Sequence, residues 1–112
     1  MRNEMREVIL AQLGALRADA GVELVACKDT CVSDYLTGKA DALAVAMQMV
    51  ESKALLESMT NFLRHEETRN MNLAESARLC SKDTMARLRE GAAAGYMAAS
   101  RVVNEIREMN KS

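Results

Sequence analysis

The sequence predicts an all-α protein built as a helical bundle, and three observations lead to that class. The chain of 112 residues contains no proline, and aromatic residues make up only 3% of it. Nine methionines contribute, with alanine, leucine and valine, to an apolar fraction of 49%. Such residues favour helices, whereas strands are enriched in β-branched and aromatic residues. We therefore expect a single all-helical domain over residues 1–112, formed by four helices.

The first two predicted helices are short. Residues 3–18 carry apolar side chains at helical spacing, and Asp19-Ala20-Gly21 is expected to end that helix. The next stretch, VELVACKDTCVSDYL at residues 22–36, fits either a helix or a short strand at VELVA. A lone strand leaves its backbone groups unpaired, so a helix is the better hypothesis, with an irregular segment as the alternative. Thr37-Gly38 is expected to end it.

The third predicted helix, over residues 39–67, has two apolar faces. One face includes Leu43 and Phe62. The other face, nearly opposite, consists of Val45, Met49, Leu56 and Leu63. A helix that is apolar on both sides cannot lie on the surface of a monomer without exposing one of them. The second face therefore predicts contact with another copy of the chain, and hence a homo-oligomer.

The fourth predicted helix covers residues 72–110. Small and apolar residues recur every three or four positions from Leu73 to Met109, and the pattern keeps its phase across residues 81–84. A break at 81–84 is the alternative, but the constant phase favours one helix. A short turn before residue 72 would then join the third and fourth helices as a long antiparallel hairpin.

Two glycines lie inside this fourth helix. Gly91 and Gly95 are one turn apart on the apolar stripe, and Ala99 follows one turn later. A glycine in a helix interior costs about 1 kcal/mol relative to alanine. Small residues let a second helix approach closely, and the added dispersion contacts offset that cost. We expect a tight helix contact here, either within the chain or between subunits.

Four cations and a tyrosine lie on one side of the same predicted helix. They are Arg78, Lys82, Arg89, Tyr96 and Arg107. At 3.6 residues per turn they fall within about 40° around the helix axis. Arginines can hold an anion while a tyrosine stacks on a base, so the pattern predicts a site for a nucleotide or another small anionic ligand at a subunit interface. The alternative interpretation is a solvated flank with ion pairs between successive turns.

The sequence contains no pattern typical of an enzyme or a metal site. It has no Ser-His-Asp set, no phosphate-binding glycine loop and only one histidine. Cys27 and Cys31 are four residues apart, but two thiols do not complete the four ligands that zinc prefers. We expect these two cysteines and Cys80 to be buried reduced thiols. The sequence thus predicts no catalysis, no metal and no cofactor.

Charge and hydropathy restrict the partners further. A net charge of −1 argues against broad attraction to nucleic acid or to an anionic membrane. No apolar run approaches the roughly 20 residues of a membrane-spanning helix. The charged stretch MRNEMREVILAQLG is not typical of a signal peptide, so we expect a cytoplasmic protein.

Residues 35–52, YLTGKADALAVAMQMVES, resemble the Gly-Lys/Arg-x-x-Ala-Leu helix openings of many small phage-encoded proteins. The resemblance implies an accessory protein of a phage or another mobile element, and it identifies no functional residue. The second apolar face and the many methionines lead to our first functional hypothesis, a homo-oligomer that binds another protein as an inhibitor or adaptor. Sequestration of a nucleotide or another small anion is the second hypothesis, and nucleic-acid binding is a weaker third.

Overall fold

The computed structural model describes residues 3–52 and 55–110, and this part of the chain forms four α-helices and no strand. The helices are α1 Asn3–Ala26, α2 Thr30–Glu51, α3 Leu56–Leu79 and α4 Asp83–Met109. The predicted all-α class and the number of helices are confirmed. The breaks between the helices lie at other positions than those predicted.

The helices pack side by side in the order α1, α2, α4, α3. Helix α4 packs extensively against both α2 and α3, whereas α2 and α3 barely touch each other. Tyr35 lies against Gly91 and Lys39 against Gly95, so α2 and α4 run parallel. The short connections before α2 and before α4 reverse the chain, which makes α1 antiparallel to α2 and α3 antiparallel to α4. Two short hairpins thus replace the single long hairpin that the sequence predicts.

The apolar core lies in the half of the molecule that contains the α2–α3 connection. All four helices contribute buried side chains to it, including Ile9, Leu13, Leu43, Val50, Met59, Leu63, Ala99, Val103 and Ile106. In the other half α2 and α4 remain in contact at Gly38 and Gly91, and a cleft lies between α2 and α3.

Backbone contact between α2 and α4 depends on glycine. A Cβ atom at Gly91 would lie 1.9 Å from the carbonyl oxygen of Tyr35, and one at Gly38 would lie 2.0 Å from the carbonyl oxygen of Leu88. Gly95 packs against α2 one turn further along α4. The close approach at Gly91 and Gly95 is therefore made within the chain. Gly38, which was expected to end a helix, lies inside α2 because it forms the α2 side of this contact.

The first helix is longer than predicted. It continues through residues 19–21, because Ala20 is buried and Gly21 keeps a helical backbone. The cost of one glycine, about 1 kcal/mol, does not end a helix that tertiary packing stabilises. The predicted helix over 22–36 is therefore wrong: residues 22–26 belong to α1, residues 27–29 connect the two helices, and residues 30–36 belong to α2.

Asp29 determines where α2 begins. Its carboxylate accepts hydrogen bonds from the backbone N–H groups of Cys31, at 2.8 Å, and Val32, at 3.3 Å. Two N–H groups of the first turn that lack helical partners are thereby satisfied. This cap lies in the middle of the segment that the sequence analysis interprets as one helix.

The predicted helix over residues 39–67 is divided by a connection between α2 and α3. Ser52 ends α2, and Leu55 precedes α3 in an extended conformation. The turn expected at residues 68–71 does not exist. Asn70 lies inside α3 instead, where it is 2% exposed.

This division changes the interpretation of the second apolar face. Leu63 is buried, and Met49 and Leu56 are half-buried against the core. Val45 is half-buried beside them. The two opposite faces of the predicted helix belong to two helices that each turn toward the same core. The chain itself covers Leu63 and part of the other three side chains, so this face does not require another subunit. Whether the chain forms a homo-oligomer stays a prediction.

The predicted continuous helix over residues 72–110 is also wrong. Helix α3 ends in a Schellman motif: the N–H of Lys82 donates to the carbonyl oxygen of Ala77 at 2.8 Å, and that of Ser81 to Arg78 at 3.0 Å. Ser81 has a φ of 59°, the left-handed conformation that this motif requires. The break therefore falls within the residues 81–84 that formed the alternative.

Candidate functional site

The structure separates the five side chains of the predicted ligand stripe. Arg78 belongs to α3, where it forms an ion pair with Glu90, and Lys82 lies in the connection before α4. Arg107 lies near the C-terminal end of α4, in a polar hollow with α3. Arg89 lines one cleft together with Tyr96, and it also lines a neighbouring hollow together with Lys82. The continuous line of cations that nucleic-acid binding would use is absent from the described residues.

The cleft has a volume of about 310 Å³ and lies between α2 and α3, with α4 as its floor. Gly38, Asp41, Ala42 and Val45 form the α2 wall; Glu66, Arg69 and Asn70 form the α3 wall; and Leu88, Arg89, Ala92 and Tyr96 lie on the floor. The cleft opens here because small side chains face the gap between two helices that hardly touch. Toward the core, the edge-to-face contact of Phe62 with Tyr96, with ring centroids 6.3 Å apart, closes it.

Asn70 connects the α3 wall to the floor. Its Nδ2 donates to the backbone carbonyl oxygen of Glu66 at 2.8 Å, and its Oδ1 accepts from Nη1 of Arg89 at 3.1 Å. The first bond fixes the orientation of the amide, so the oxygen is the atom presented to the guanidinium. Since Asn70 is 2% exposed, this anchor is rigid. Arg89 is thereby held in place by a neutral group.

The Arg89 guanidinium keeps most of its donors. Guanidinium has five N–H donors, and the bond to Asn70 uses one of them. Among residues 3–52 and 55–110, Arg89 has no carboxylate oxygen within the 4.0 Å of an ion pair. An uncompensated cation with free donors therefore lines the cleft.

The α3 wall adds a second guanidinium that is already paired. Nη1 of Arg69 donates to Oε2 of Glu66 at 3.1 Å, and the side chains of Arg69 and Glu66 are 50% and 15% exposed. Burial raises the pKa of the nearby Tyr96 phenol, and the Glu66 carboxylate raises it further. Tyr96 is therefore a neutral hydroxyl near physiological pH. Because it is only 7% exposed, too little of its ring is free for a base to stack on it.

Sequence reasoning identified two cleft residues and missed Asp41, Glu66, Arg69 and Asn70. A turn assigned to residues 68–71 concealed Arg69 and Asn70, and Glu66 lies immediately before that assigned turn. The available signal was the spacing of three and four residues that continues from Met59 through Asn70 to Ala77, which places Asn70 on the buried face of one helix. Asp41 had no comparable signal, because its position depends on how α2 packs.

The cysteines do not form a site. Cys27 is half-buried and its Sγ–H donates to the carbonyl oxygen of Asp29 at 3.3 Å, while Cys31 and Cys80 are exposed. The expectation that all three are buried is therefore wrong for two of them, because they lie at helix ends. No group of three or more His, Cys, Asp or Glu side chains in the described part of the chain is arranged to hold a metal ion.

Comparison with protein-family models, with curated proteins and with solved structures finds no match for this chain. None of the four described helices is both long and apolar enough to cross a membrane. The functional interpretation therefore depends on the geometry of the cleft.

Proposed function

We propose that the protein binds a small anionic ligand, of the size of a nucleotide, in the cleft between α2, α3 and α4, and that it does so without catalysis. The observation that carries this proposal is Arg89, a cation that lines the cleft and whose hydrogen-bond partner is the neutral, buried Asn70. Guanidinium binds phosphate or carboxylate through two parallel hydrogen bonds, and such charge-assisted bonds are the stronger ones in proteins.

The shape of the cleft agrees with a ligand of this size. Its volume of about 310 Å³ lies at the lower end of the range for small-molecule sites, about 300–1,000 Å³. Most of its floor and α2 wall is apolar, with a few fixed polar groups, which is the usual composition of such sites. Because the Tyr96 ring is covered, we assign Tyr96 a hydrogen-bonding role in place of the stacking that the sequence suggested.

Thermal melting and calorimetry of the full chain test the proposal with inorganic phosphate, nucleoside monophosphates and cyclic nucleotides. A ligand at a hundredfold excess over its dissociation constant adds about 2.7 kcal/mol to the free energy of unfolding. Arg89→Gln should remove the shift. Arg107→Gln is the matched control, since it changes the same residue type on the same helix outside the cleft. A wild-type protein that responds to none of these anions, or equal losses in both variants, would contradict the proposal.

Protein binding as a homo-oligomer is a second candidate, and one observation favours it. A groove of about 260 Å³ between α3 and α4, on another side of α4, is lined by the apolar residues Met71, Ala93, Ala94 and Met97 and also by Glu67 and Glu90. Met71 is 58% exposed, and methionine side chains adapt readily to a partner surface. The occupant we assign to it is a second copy of the chain. Light scattering should then give a dimer that Met71→Lys converts to a monomer; a monomeric wild-type protein would contradict this candidate.

A further inference from the structure

The charges along the cleft do not form a simple anion site. Two guanidinium groups line it, those of Arg69 and Arg89, but so do two carboxylates, those of Asp41 and Glu66. A ligand that carries negative charge alone would be attracted by the arginines and repelled by the carboxylates. The arrangement therefore has consequences for which anions the cleft accepts.

Two of these four charges are neutralised within α3. Glu66 accepts from Arg69 at 3.1 Å, and its carboxylate lies 3.5 Å from Nδ2 of Asn70. The remaining two are Arg89 on the floor and Asp41 on the α2 wall. Among the residues that the structure describes, neither forms an ion pair, and they are not within 4.0 Å of each other. The cleft thus presents one uncompensated cation and one uncompensated anion, on different helices.

Much of the remaining lining of the cleft on α2 and α4 is apolar. Ala42 and Val45 on α2 and Leu88 and Ala92 on α4 contribute this apolar lining. A ligand that satisfies the whole cleft therefore has an anionic group at Arg89, an apolar or aromatic part, and a group that donates hydrogen bonds to Asp41. Carboxylates accept hydrogen bonds from ammonium groups and from the exocyclic amino groups of nucleobases.

Building on the proposed function, we propose that the ligand is an ampholyte, whose anionic group pairs with Arg89 and whose N–H donor group pairs with Asp41. Asp41 is then the residue that determines specificity: it stabilises ligands that carry an amino group and repels anions that lack one. Nucleoside monophosphates with an exocyclic amine and zwitterionic amino acids share this chemistry.

Two matched pairs of probes distinguish these sources in calorimetry of the full chain. Adenosine monophosphate and purine riboside monophosphate differ only by the exocyclic amino group at C6, and phenylalanine differs from phenylpropionate by its ammonium group. The wild-type protein should bind the aminated member of at least one pair about tenfold more tightly, as expected for one hydrogen bond to a charged group. The pair that shows the preference identifies the source.

Asp41→Asn should reduce that preference to about threefold or less, while the non-aminated member binds as well as before or better. Glu51→Gln is the control, since Glu51 is an exposed carboxylate of α2 outside the cleft. Melting of each variant without ligand confirms that the fold is kept, which the exposure of Asp41 leads us to expect.

The two proposals fail in different ways. Equal binding of both members of each pair, or a preference that survives Asp41→Asn, overturns the ampholyte inference and leaves anion binding at Arg89 intact. Absence of binding by every probe, or binding that Arg89→Gln does not weaken, overturns the proposed function and the inference together.

Discussion

The contact between α2 and α4 leaves no space for a side chain at Gly91, and Gly91→Ala measures the consequence. The added Cβ would lie 1.9 Å from the carbonyl oxygen of Tyr35, 2.8 Å from its carbonyl carbon and 3.0 Å from the amide nitrogen of Lys39. All three atoms belong to the backbone of α2, so no side-chain rotation relieves the overlap. The two helices must move apart by about 1.5 Å to restore an ordinary non-bonded contact.

The free energy of unfolding should fall by about 2 kcal/mol. Overpacking costs about 1–3 kcal/mol, and a rigid backbone obstacle places this substitution in the upper part of that range. The dispersion contacts along the interface weaken as well, because a gap of about 1 Å already removes up to half of the attractive energy of each atom pair. The higher helix propensity of alanine returns about 1 kcal/mol. At about 4 °C for each kcal/mol, Tm should fall by about 8 °C.

Urea unfolding followed by circular dichroism tests this prediction, with two other helical glycines as controls. A Cβ at Gly21 would meet nothing within 4 Å, and one at Gly14 would lie 3.7 Å from Cε of Met47. Gly21→Ala and Gly14→Ala should therefore stabilise the protein by about 0.5–1 kcal/mol. If Gly91→Ala were as stable as the wild type, the backbone contact between α2 and α4 would be wrong.

Three further substitutions probe single interactions. Asp29→Ala should lower the free energy of unfolding in urea by about 1 kcal/mol by removing the α2 cap, and Asp29→Asn should lower it less. Asp34→Asn removes the carboxylate that Arg87 contacts at 3.0 Å and should lower the urea midpoint slightly, with a smaller loss in high salt. Because the pKa of Tyr96 is raised from 10.0 in the folded state, stability should be lost as the pH rises above that value. Tyr96→Phe should reduce this loss in urea titrations at alkaline pH.

The helix content could be predicted because it depends on composition, and the breaks could not because they depend on packing. Gly38 and Gly21 have the same residue type, and each looked like a helix end. In the structure Gly38 is a contact point between α2 and α4, and Gly21 is tolerated inside α1. The sequence around a glycine does not show whether another backbone will lie against it. That information belongs to the three-dimensional arrangement.

Only part of the candidate site could be predicted, again because the sequence does not show how the helices pack against one another. Arg89 and Tyr96 could be paired from the sequence because they lie two turns apart on one helix. Asn70 reaches Arg89 only because α3 folds back along α4, and Asp41 joins them only because α2 packs on the other side. Helical periodicity identifies neighbours on one element, whereas this cleft is formed by three.

The close contact of α2 with α4 and the open cleft beside it have a common origin. Glycine and alanine on the facing sides bring the two helices together. The same small residues leave open space beside the contact, and this space is the cleft. Large side chains at Ala42 or Ala92 would fill the cleft. A backbone-to-backbone helix contact thus supports a site whose polar groups come from all three helices, including Asp41 on α2, Asn70 on α3 and Arg89 on α4.

The break between α3 and α4 was missed because Ser81 occupies a position where glycine is usual. A serine with a φ of 59° pays a steric cost that glycine avoids, about 1–2 kcal/mol for an ordinary residue in the left-handed conformation. Ser81→Gly should therefore raise the free energy of unfolding by about 0.5–1 kcal/mol, after the larger entropy of the unfolded glycine chain is subtracted. Ser76→Gly, at an exposed position inside α3, should lower it by about 0.5 kcal/mol. Urea midpoints that move in the same direction for both substitutions would refute the left-handed end of α3.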